Sequence, residues 1–182
     1  MKPTTLRSDA DFEKRLPKLL IATGEHRQPL VDEAVSRLLR LIREDLKMDV
    51  AFVAEFVDGH RVFRYVDAAP RADMLLPGMS HPLEDSLCQR VVDGRIAGVV
   101  NDVPALSKTQ TLPIFPISIG AHIGVPVQRP DGSIYGTLCC FNFEPDSELG
   151  ERHIKRLEMS ARLAGRLLDE TEGGGTTRPA PL

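Results

Sequence analysis

Two stretches rich in β-favouring residues flank the dipeptide Asp131-Gly132, and this pattern constrains the fold more than any other part of the chain. The stretches are IGAHIGVPV, residues 119–127, and SIYGTLCCFNF, residues 133–143. Asp-Gly between two such stretches is a strong hairpin signal, because the dipeptide readily supplies the positive φ angles of a tight turn. The sequence therefore predicts the central hairpin of an antiparallel sheet.

Side chains alternate along a strand, so the first arm of this hairpin has two different faces. One face is apolar and consists of Ile119, Ala121, Ile123, Val125 and Val127. The other face carries Gly120, His122, Gly124 and Pro126, and the second arm contains a further glycine, Gly136. Glycine inside a strand indicates either a ligand that approaches the backbone closely, a β-bulge or a packed helix, and these alternatives stay open.

The chain has 182 residues, of which 42% are hydrophobic, and this is enough for one domain with a well-buried core. Its formal net charge of −3 offers no basic surface for phosphates, so nucleic acid is not expected as a partner. The N-terminus lacks the apolar core of a signal peptide, and no apolar stretch approaches the roughly 18 residues that a membrane-spanning helix needs. We therefore expect a cytoplasmic protein without a membrane partner.

Helical and strand patterns follow one another in an order typical of an α+β fold. The expected elements are a helix at 8–23, a linker to 29, a broad apolar helix at 30–46 and strands at 50–57 and 61–68 joined at Asp58-Gly59. They continue with a cross-helix at 80–94, an irregular loop or one turn of helix at 103–116, the central hairpin, a helix at 148–170 and a disordered tail at 171–182. This order predicts a sandwich with one antiparallel sheet. The N- and C-terminal helices cover one face of it, and the cross-helix with its loops covers the other.

The apolar residues of the last predicted helix fall into two stripes. The first stripe is Ile154, Leu157, Ala161, Ala164 and Leu168, and the second is Met159, Leu163 and Leu167. One stripe can pack on the sheet, and a second stripe left exposed would be costly in a monomer. It is therefore expected to pack on the helix at 30–46 or on a partner, and we predict a homodimer through the helices at 30–46 and 148–170.

Residues 30–170 resemble a GAF domain, the small-molecule sensor module of signalling proteins, whose fold is related to that of PAS domains. The resemblance is carried by LEDSLCQRVVDGRIAGVVND, residues 83–102, and by the hairpin stretch 119–143, with VAFVAEFV and the closing helix in the expected places. On this division residues 1–29 are an N-terminal extension and linker, and residues 171–182 are a tail. The resemblance implies a sensory domain, either free-standing or cut from a longer kinase, cyclase or phosphodiesterase, acting on a separate or fused effector.

In GAF domains the ligand lies between the sheet and the cross-helix with its following loop. The resemblance therefore implies a ligand site formed by Asp85, Ser86, Cys88, Gln89, Asp102, His122 and Cys140. A short helix with polar groups above an apolar floor suits a small molecule. Each polar residue also has a structural explanation: Asp85 and Ser86 can cap the cross-helix, Asp102 can close a turn, and His122 can be a satisfied strand residue. The sequence does not identify the ligand or a cofactor.

Cysteine offers an enzymatic alternative. The free methionine-(R)-sulfoxide reductases, one branch of the GAF family, use a nucleophilic thiolate and resolving cysteines near this pocket. Here Cys139 and Cys140 are neighbours on a strand and point to opposite faces, so at most one of them can meet Cys88. The three cysteines match neither a disulfide framework nor a CxxC metal motif, and we expect free thiols.

The sequence gives less support for the other ligands that GAF domains bind. The Cys-His pair of bilin-binding relatives is absent, because Gln89 follows Cys88, and the phosphodiesterase cyclic-nucleotide signature is also absent. Haem would need an axial ligand, for which His60, His81 and His122 are candidates. No common hydrolase, metalloprotease or nucleotide-binding motif occurs. We therefore predict a non-enzymatic sensory domain, with a reductase using Cys88 and a ligand-free dimerisation scaffold as the alternatives.

Overall fold

The computed structural model describes residues 27–72 and 74–172 of the chain. The helix predicted over residues 8–23 and most of the predicted tail lie outside these described residues. The first described helix, α1, covers Arg27–Asp45, so it begins before the predicted start at residue 30. The apolar character predicted for this helix is confirmed by a buried face that includes Val31, Val35, Leu38, Ile42 and, just after the helix, Leu46.

The described residues form one six-stranded antiparallel sheet, which confirms the predicted fold class. The strands are β1 Val50–Val57, β2 His60–Ala68, β3 Ser80–Pro82, β4 Val99–Val100, β5 Ala121–Gln128 and β6 Ile134–Asn142. Their order across the sheet is β3-β2-β1-β6-β5-β4. The two predicted hairpins, β1–β2 and β5–β6, therefore lie side by side at the centre.

Both predicted hairpin turns are present, but their backbone geometries differ. Asp58 and Gly59 have φ angles of 49° and 74°, so both residues adopt the left-handed conformation that a two-residue turn requires. In the β5–β6 turn Gly132 has a φ angle of 85°, and its amide donates to the carbonyl of Arg129 at 2.9 Å. The prediction of a positive φ angle at Asp131 was wrong, because this connection is a longer turn that begins at Arg129.

The segment predicted as one cross-helix over residues 80–94 is divided into three short elements. Strand β3 pairs with β2, a 3₁₀ turn covers Leu83–Asp85, and helix α2 covers Leu87–Val92. The prediction of a continuous helix was wrong, because the backbone is extended at Ser86, with φ of −131° and ψ of 147°. A further short helix, α3, covers Val103–Ser107 within the predicted loop.

The last helix, α4, covers Glu151–Glu172 and packs on both the sheet and α1. It begins after the predicted residue 148, because the Asp146 side chain accepts the amide of Glu148 at 2.9 Å and forms a local turn there. Leu163 and Leu167 of the second predicted stripe are buried in the same core as α1. The homodimer therefore stays a prediction, and an exposed apolar stripe no longer supports it. Neither α4 nor another described helix is long and apolar enough to cross a membrane.

The sheet separates two buried clusters of side chains. The cluster beneath α1 and α4 includes Leu138 and Cys140, and the cluster on the opposite face, towards α2, includes Cys139 and Phe141. These four residues are consecutive on β6, so their side chains alternate between the two faces. The predicted separation of the two neighbouring cysteines is confirmed.

Candidate functional site

A cavity of about 210 Å³ lies on the α2 side of the sheet. Strands β1, β2, β5 and β6 form its floor, and α2 with the segments at 74–79 and 115–119 forms its cover. Most of the lining is apolar, and the full set is Phe52, Arg61, Phe63, Met74, Leu75, Met79, His81, Leu87, Cys88, Phe115, Pro116, Ile117, Ile119, His122 and Phe141. The structure thus contains a hollow where the sequence predicted one.

Phenylalanine rings from the central strands form the floor of the cavity. The ring centroid of Phe52 lies 4.8 Å from that of Phe63 and 6.4 Å from that of Phe141, and both pairs pack edge to face. This arrangement places the positive edge of one ring against the negative face of another, which is a favourable aromatic contact. The floor is therefore a firmly packed apolar surface.

Arg61 of β2 brings a positive charge to the wall of the cavity. Its guanidinium group lies 4.5 Å from the ring centroid of Phe63, its Nη2 lies 3.3 Å from His81 Nδ1, and its buried Nε has no hydrogen-bond partner. Within residues 27–72 and 74–172, Arg61 makes no ion pair with a carboxylate. Burial and the charge of Arg61 lower the pKa of His81, so this histidine is neutral near pH 7.

His122 of β5 is a buried polar side chain in the wall of the cavity, with a relative exposure of 2%. Neither ring nitrogen has a hydrogen-bond partner in the described part of the chain, although the ring lies close enough to Cys88 to influence its ionisation. Leaving a buried polar group unpaired costs roughly 1–3 kcal/mol, so such a group calls for an explanation. The alternative in which His122 is a satisfied strand residue is not supported, because both of its ring nitrogens lack a hydrogen-bond partner among the described residues.

Cys88 and Cys139 meet beside the cavity. Their Sγ atoms lie 3.7 Å apart, and Nη1 of Arg61 lies 3.8 Å from Cys88 Sγ. A hydrogen bond from Cys139, together with His122 and Arg61, holds the pKa of Cys88 well below its usual range despite burial. Burial and the nearby Cys88 raise the pKa of Cys139. The site therefore pairs one thiol that ionises readily with one that keeps its proton.

The structure brings two of the seven predicted site residues, Cys88 and His122, to the cavity. Cys140 lies on the opposite face of the sheet, in the core beneath α1 and α4, and burial raises its pKa. Its assignment to the pocket was wrong, because the pleat of β6 directs Cys139 there instead. Cys139 could have been found from the hairpin register, since it pairs with Gly124 on the face that carries His122.

The remaining predicted site residues have local structural roles. Ser86 caps α2 by accepting the amide of Gln89 at 3.2 Å, and Asp102 caps α3 by accepting the amide of Ala105 at 2.8 Å. The Gln89 side chain donates to Asp93 at 3.4 Å, and Asp85 is exposed. Asp102 also borders a separate surface depression near α3.

Two of the three candidate haem ligands lie at the cavity. His81 and His122 line the cavity, whereas His60 is exposed at the β1–β2 turn. Across residues 27–72 and 74–172, no group of three or more histidine, cysteine or acidic side chains is placed to hold a metal ion.

Protein atoms account for the glycines inside the strands. A Cβ atom at Gly124 would lie 2.8 Å from Cys139 Sγ and 2.9 Å from Cε1 of His122. At Gly120 and Gly136 it would overlap the backbone of neighbouring segments, at 2.1 Å and 1.9 Å. Close packing therefore explains these glycines, and Gly124 makes room for the thiol pair and the imidazole.

Sequence comparison assigns a family to the chain, and comparison with solved structures supports the same fold. The profile of the GAF domain family matches residues 30–169. Comparison with curated protein sequences finds no significant match.

Among solved structures, the GAF domain of an Acinetobacter phosphoenolpyruvate-protein phosphotransferase is 12% identical, with a TM-score of 0.72 over 94% of this chain and 99% of that one. The corresponding domain from Coxiella burnetii is 13% identical, with a TM-score of 0.67 over 91% and 95% of the two chains. A type II free methionine-R-sulfoxide reductase from Thermoplasma acidophilum is 19% identical, with a TM-score of 0.61 over 78% and 94%. At these identities the likeness concerns the fold alone. Because the family profile covers most of the sequence, the chain belongs to the GAF domain family.

Proposed function

We propose that this GAF domain is a sensor that binds a small molecule with an anionic group in the cavity between the sheet and α2. The observation that carries this proposal is a set of polar atoms without hydrogen-bond partners in the wall of an otherwise apolar cavity, namely Nε of Arg61 and both ring nitrogens of His122. A ligand that supplied their missing partners would offset the cost of burying them.

The anionic class follows from Arg61. Its guanidinium group presents several N–H donors in a planar fork that fits a carboxylate with two parallel hydrogen bonds. No protein carboxylate fills that role among the described residues. His122 can add one donor or one acceptor to a second polar atom of the ligand.

The apolar part of the ligand rests on the phenylalanine floor. With a volume of about 210 Å³, the cavity is smaller than the roughly 300–1,000 Å³ pockets that hold drug-sized molecules. It therefore suits a simple organic acid with a short aliphatic or aromatic body. Tetrapyrroles are too large for it.

The output of the sensor is part of the same proposal. Ligand contacts with Cys88 or Phe115 shift the segments that cover the cavity, and a ligand changes a conformational equilibrium only by such differential contacts. A partner, either a second copy or an effector, would meet the outer helices. The exposed face of α4 is charged and consists of Glu151, Arg152, Lys155, Glu158, Arg162, Arg166 and Glu170. Such an interface is therefore polar.

A thermal-shift screen with matched ligand pairs tests the proposal. Each small carboxylic acid is compared with its neutral amide, and the proposal expects the acids alone to raise the melting temperature in proportion to ln(1 + [L]/Kd). If amides stabilise as well as acids, the anionic class is wrong. If no compound in a broad panel stabilises the protein and no small molecule co-purifies by native mass spectrometry, the sensor proposal fails.

A thiol-dependent reductase acting on a small sulfoxide is the second candidate. The contact between Cys88 and Cys139 favours it, because Cys88 lines the cavity and a second thiol that could resolve an oxidised Cys88 lies 3.7 Å from it. The test is reduction of free methionine sulfoxide with dithiothreitol as the reductant. Activity that is lost in Cys88→Ser and kept in Cys140→Ser would support the reductase in place of the sensor. Absence of turnover in the wild-type protein excludes the enzyme.

A further inference from the structure

We propose that Cys88 and Cys139 form an oxidisable dithiol that a hydroperoxide converts into an intramolecular disulfide. The proposal is independent of the sensor's ligand. It assigns a redox modification site to the junction between α2 and the central strand β6.

The sulfur atoms are already in contact. Their separation of 3.7 Å must shorten to the roughly 2.05 Å of a disulfide bond. Cys88 lies in the first turn of α2, which is only six residues long, whereas Cys139 lies at the centre of the sheet between β1 and β5. The short helix is the element that moves, because the central strand is held on both sides.

The two thiols differ in access. Both are buried, with relative exposures of 1% for Cys88 and 0% for Cys139, but Cys88 lines the cavity and Cys139 does not. A hydroperoxide that enters the cavity therefore reaches Cys88 first. This order assigns Cys88 as the attacking thiol and Cys139 as the resolving thiol.

The surroundings of Cys88 favour its thiolate, which is the reactive form of a cysteine. Nη1 of Arg61 lies 3.8 Å from Cys88 Sγ, and no carboxylate among the described residues neutralises this arginine. Cys140 has the opposite setting, since it lies in the apolar core on the other side of the sheet. The chain thus contains a reactive pair and, next to it in sequence, an inert thiol.

The reaction balances with a hydroperoxide as the oxidant. The Cys88 thiolate attacks one peroxide oxygen, the O–O bond breaks, and the leaving oxygen takes a proton and departs as water or an alcohol. Cys88 is then a sulfenic acid. The Cys139 sulfur attacks it, the S–O bond breaks, and the hydroxyl leaves as water with the Cys139 proton. Two thiols have lost two electrons, and the peroxide has gained them.

Peptide mapping after mild oxidation tests this proposal. Reduced protein is treated with one equivalent of hydrogen peroxide, quenched, alkylated under denaturing conditions and digested with trypsin. The expected product joins the peptide that contains Cys88 to the peptide that contains both Cys139 and Cys140. No Lys or Arg lies between the last two cysteines, so variants are needed to identify the partner.

Cys139→Ser and Cys140→Ser are a matched pair, because they change neighbouring buried residues in the same way. The proposal expects Cys140→Ser to form the cross-link, and Cys139→Ser to lose it and to trap a Cys88 sulfenic acid that reacts with dimedone. If a serine variant does not fold, alanine variants at the same two positions replace it. Fragment spectra of the wild-type cross-link then identify the partner of Cys88 independently. A cross-link that survives in Cys139→Ser, or a wild-type protein that keeps all three thiols after oxidation, would overturn the proposal.

Discussion

Nη1 of Arg61 on β2 lies 3.8 Å from Sγ of Cys88 on α2, so a strand cation and a helix thiol share the wall of the cavity. An arginine beside a thiol favours the thiolate and helps to lower the thiol pKa. Arg61→Gln is therefore expected to raise the pKa of Cys88. The measurement is the pH dependence of iodoacetamide alkylation at Cys88, whose midpoint should move to higher pH. Arg37→Gln on the exposed face of α1 is the control, and an identical midpoint in all three proteins contradicts the assignment.

The pH dependence of stability should contain a contribution from His81. Burial and the charge of Arg61 lower the pKa of His81 in the folded state from its ordinary value of 6.5. The unfolded chain therefore binds more protons as the pH falls through this region. The stability that neutral His81 contributes is present above about pH 6.5 and is lost as the pH falls.

His81→Gln is thus expected to flatten the decline in unfolding free energy between about pH 7 and pH 5. Urea denaturation at several pH values measures it, with His60→Gln at the exposed turn as the control. Equal slopes for the wild type and His81→Gln would show that His81 protonates alike in the folded and unfolded chains.

The sequence predicted the parts of the fold that depend on local pattern. Each hairpin is signalled within a few residues, by the turn dipeptides Asp58-Gly59 and Asp131-Gly132 and by the period-2 alternation of β5. The structure contains both hairpins. Strand β3 was missed because its three residues gain strand geometry only by pairing with β2. A short edge strand of this kind has no periodicity of its own to detect.

The site was harder to predict because it depends on the register of distant strands. Phe63 lies in the cavity cluster, whereas Tyr65, two residues later, packs on the opposite side and donates to Asp32 at 2.7 Å. In a regular strand these residues share a face, but the β1–β2 register shifts between Val53 and Ala54. Without knowledge of this shift, alternation counted back from Tyr65 would place Arg61 on the side of the sheet away from the cavity.

The packing of α4 on α1 depends on the buried ion pair between Asp45 and Arg156. Their side chains are 2% and 7% exposed, so removing one partner loses a charge pair that is shielded from water. Asp45→Asn is expected to lower the free energy of unfolding by about 3–5 kcal/mol. Glu33→Gln, which breaks the exposed pair with Arg37, should change it by less than about 1 kcal/mol. Chemical denaturation compares the two, and similar losses would refute the structural role of the buried pair.

Gly124 should be required for the contact between the thiols and His122. The Cβ atom of Gly124→Ala would lie 2.8 Å from Cys139 Sγ and must displace it. We expect a loss of about 1–3 kcal/mol in unfolding free energy, together with a slower cross-link between Cys88 and Cys139 after oxidation. Gly150→Ala, where the added atom meets open space, is the control for both measurements. Unchanged stability and cross-linking in Gly124→Ala would contradict this close packing.

The central claim is that Arg61 binds the anionic group of a small ligand in the cavity, and isothermal titration calorimetry tests it most directly. The carboxylic acid that stabilises the wild-type protein best is titrated into wild type, Arg61→Gln and Arg37→Gln. We predict binding to the wild type and to Arg37→Gln with equal Kd. Binding to Arg61→Gln should be at least about tenfold weaker, since a charge-assisted hydrogen bond contributes about 1.5–3 kcal/mol. Equal affinity of all three proteins for the acid would contradict it.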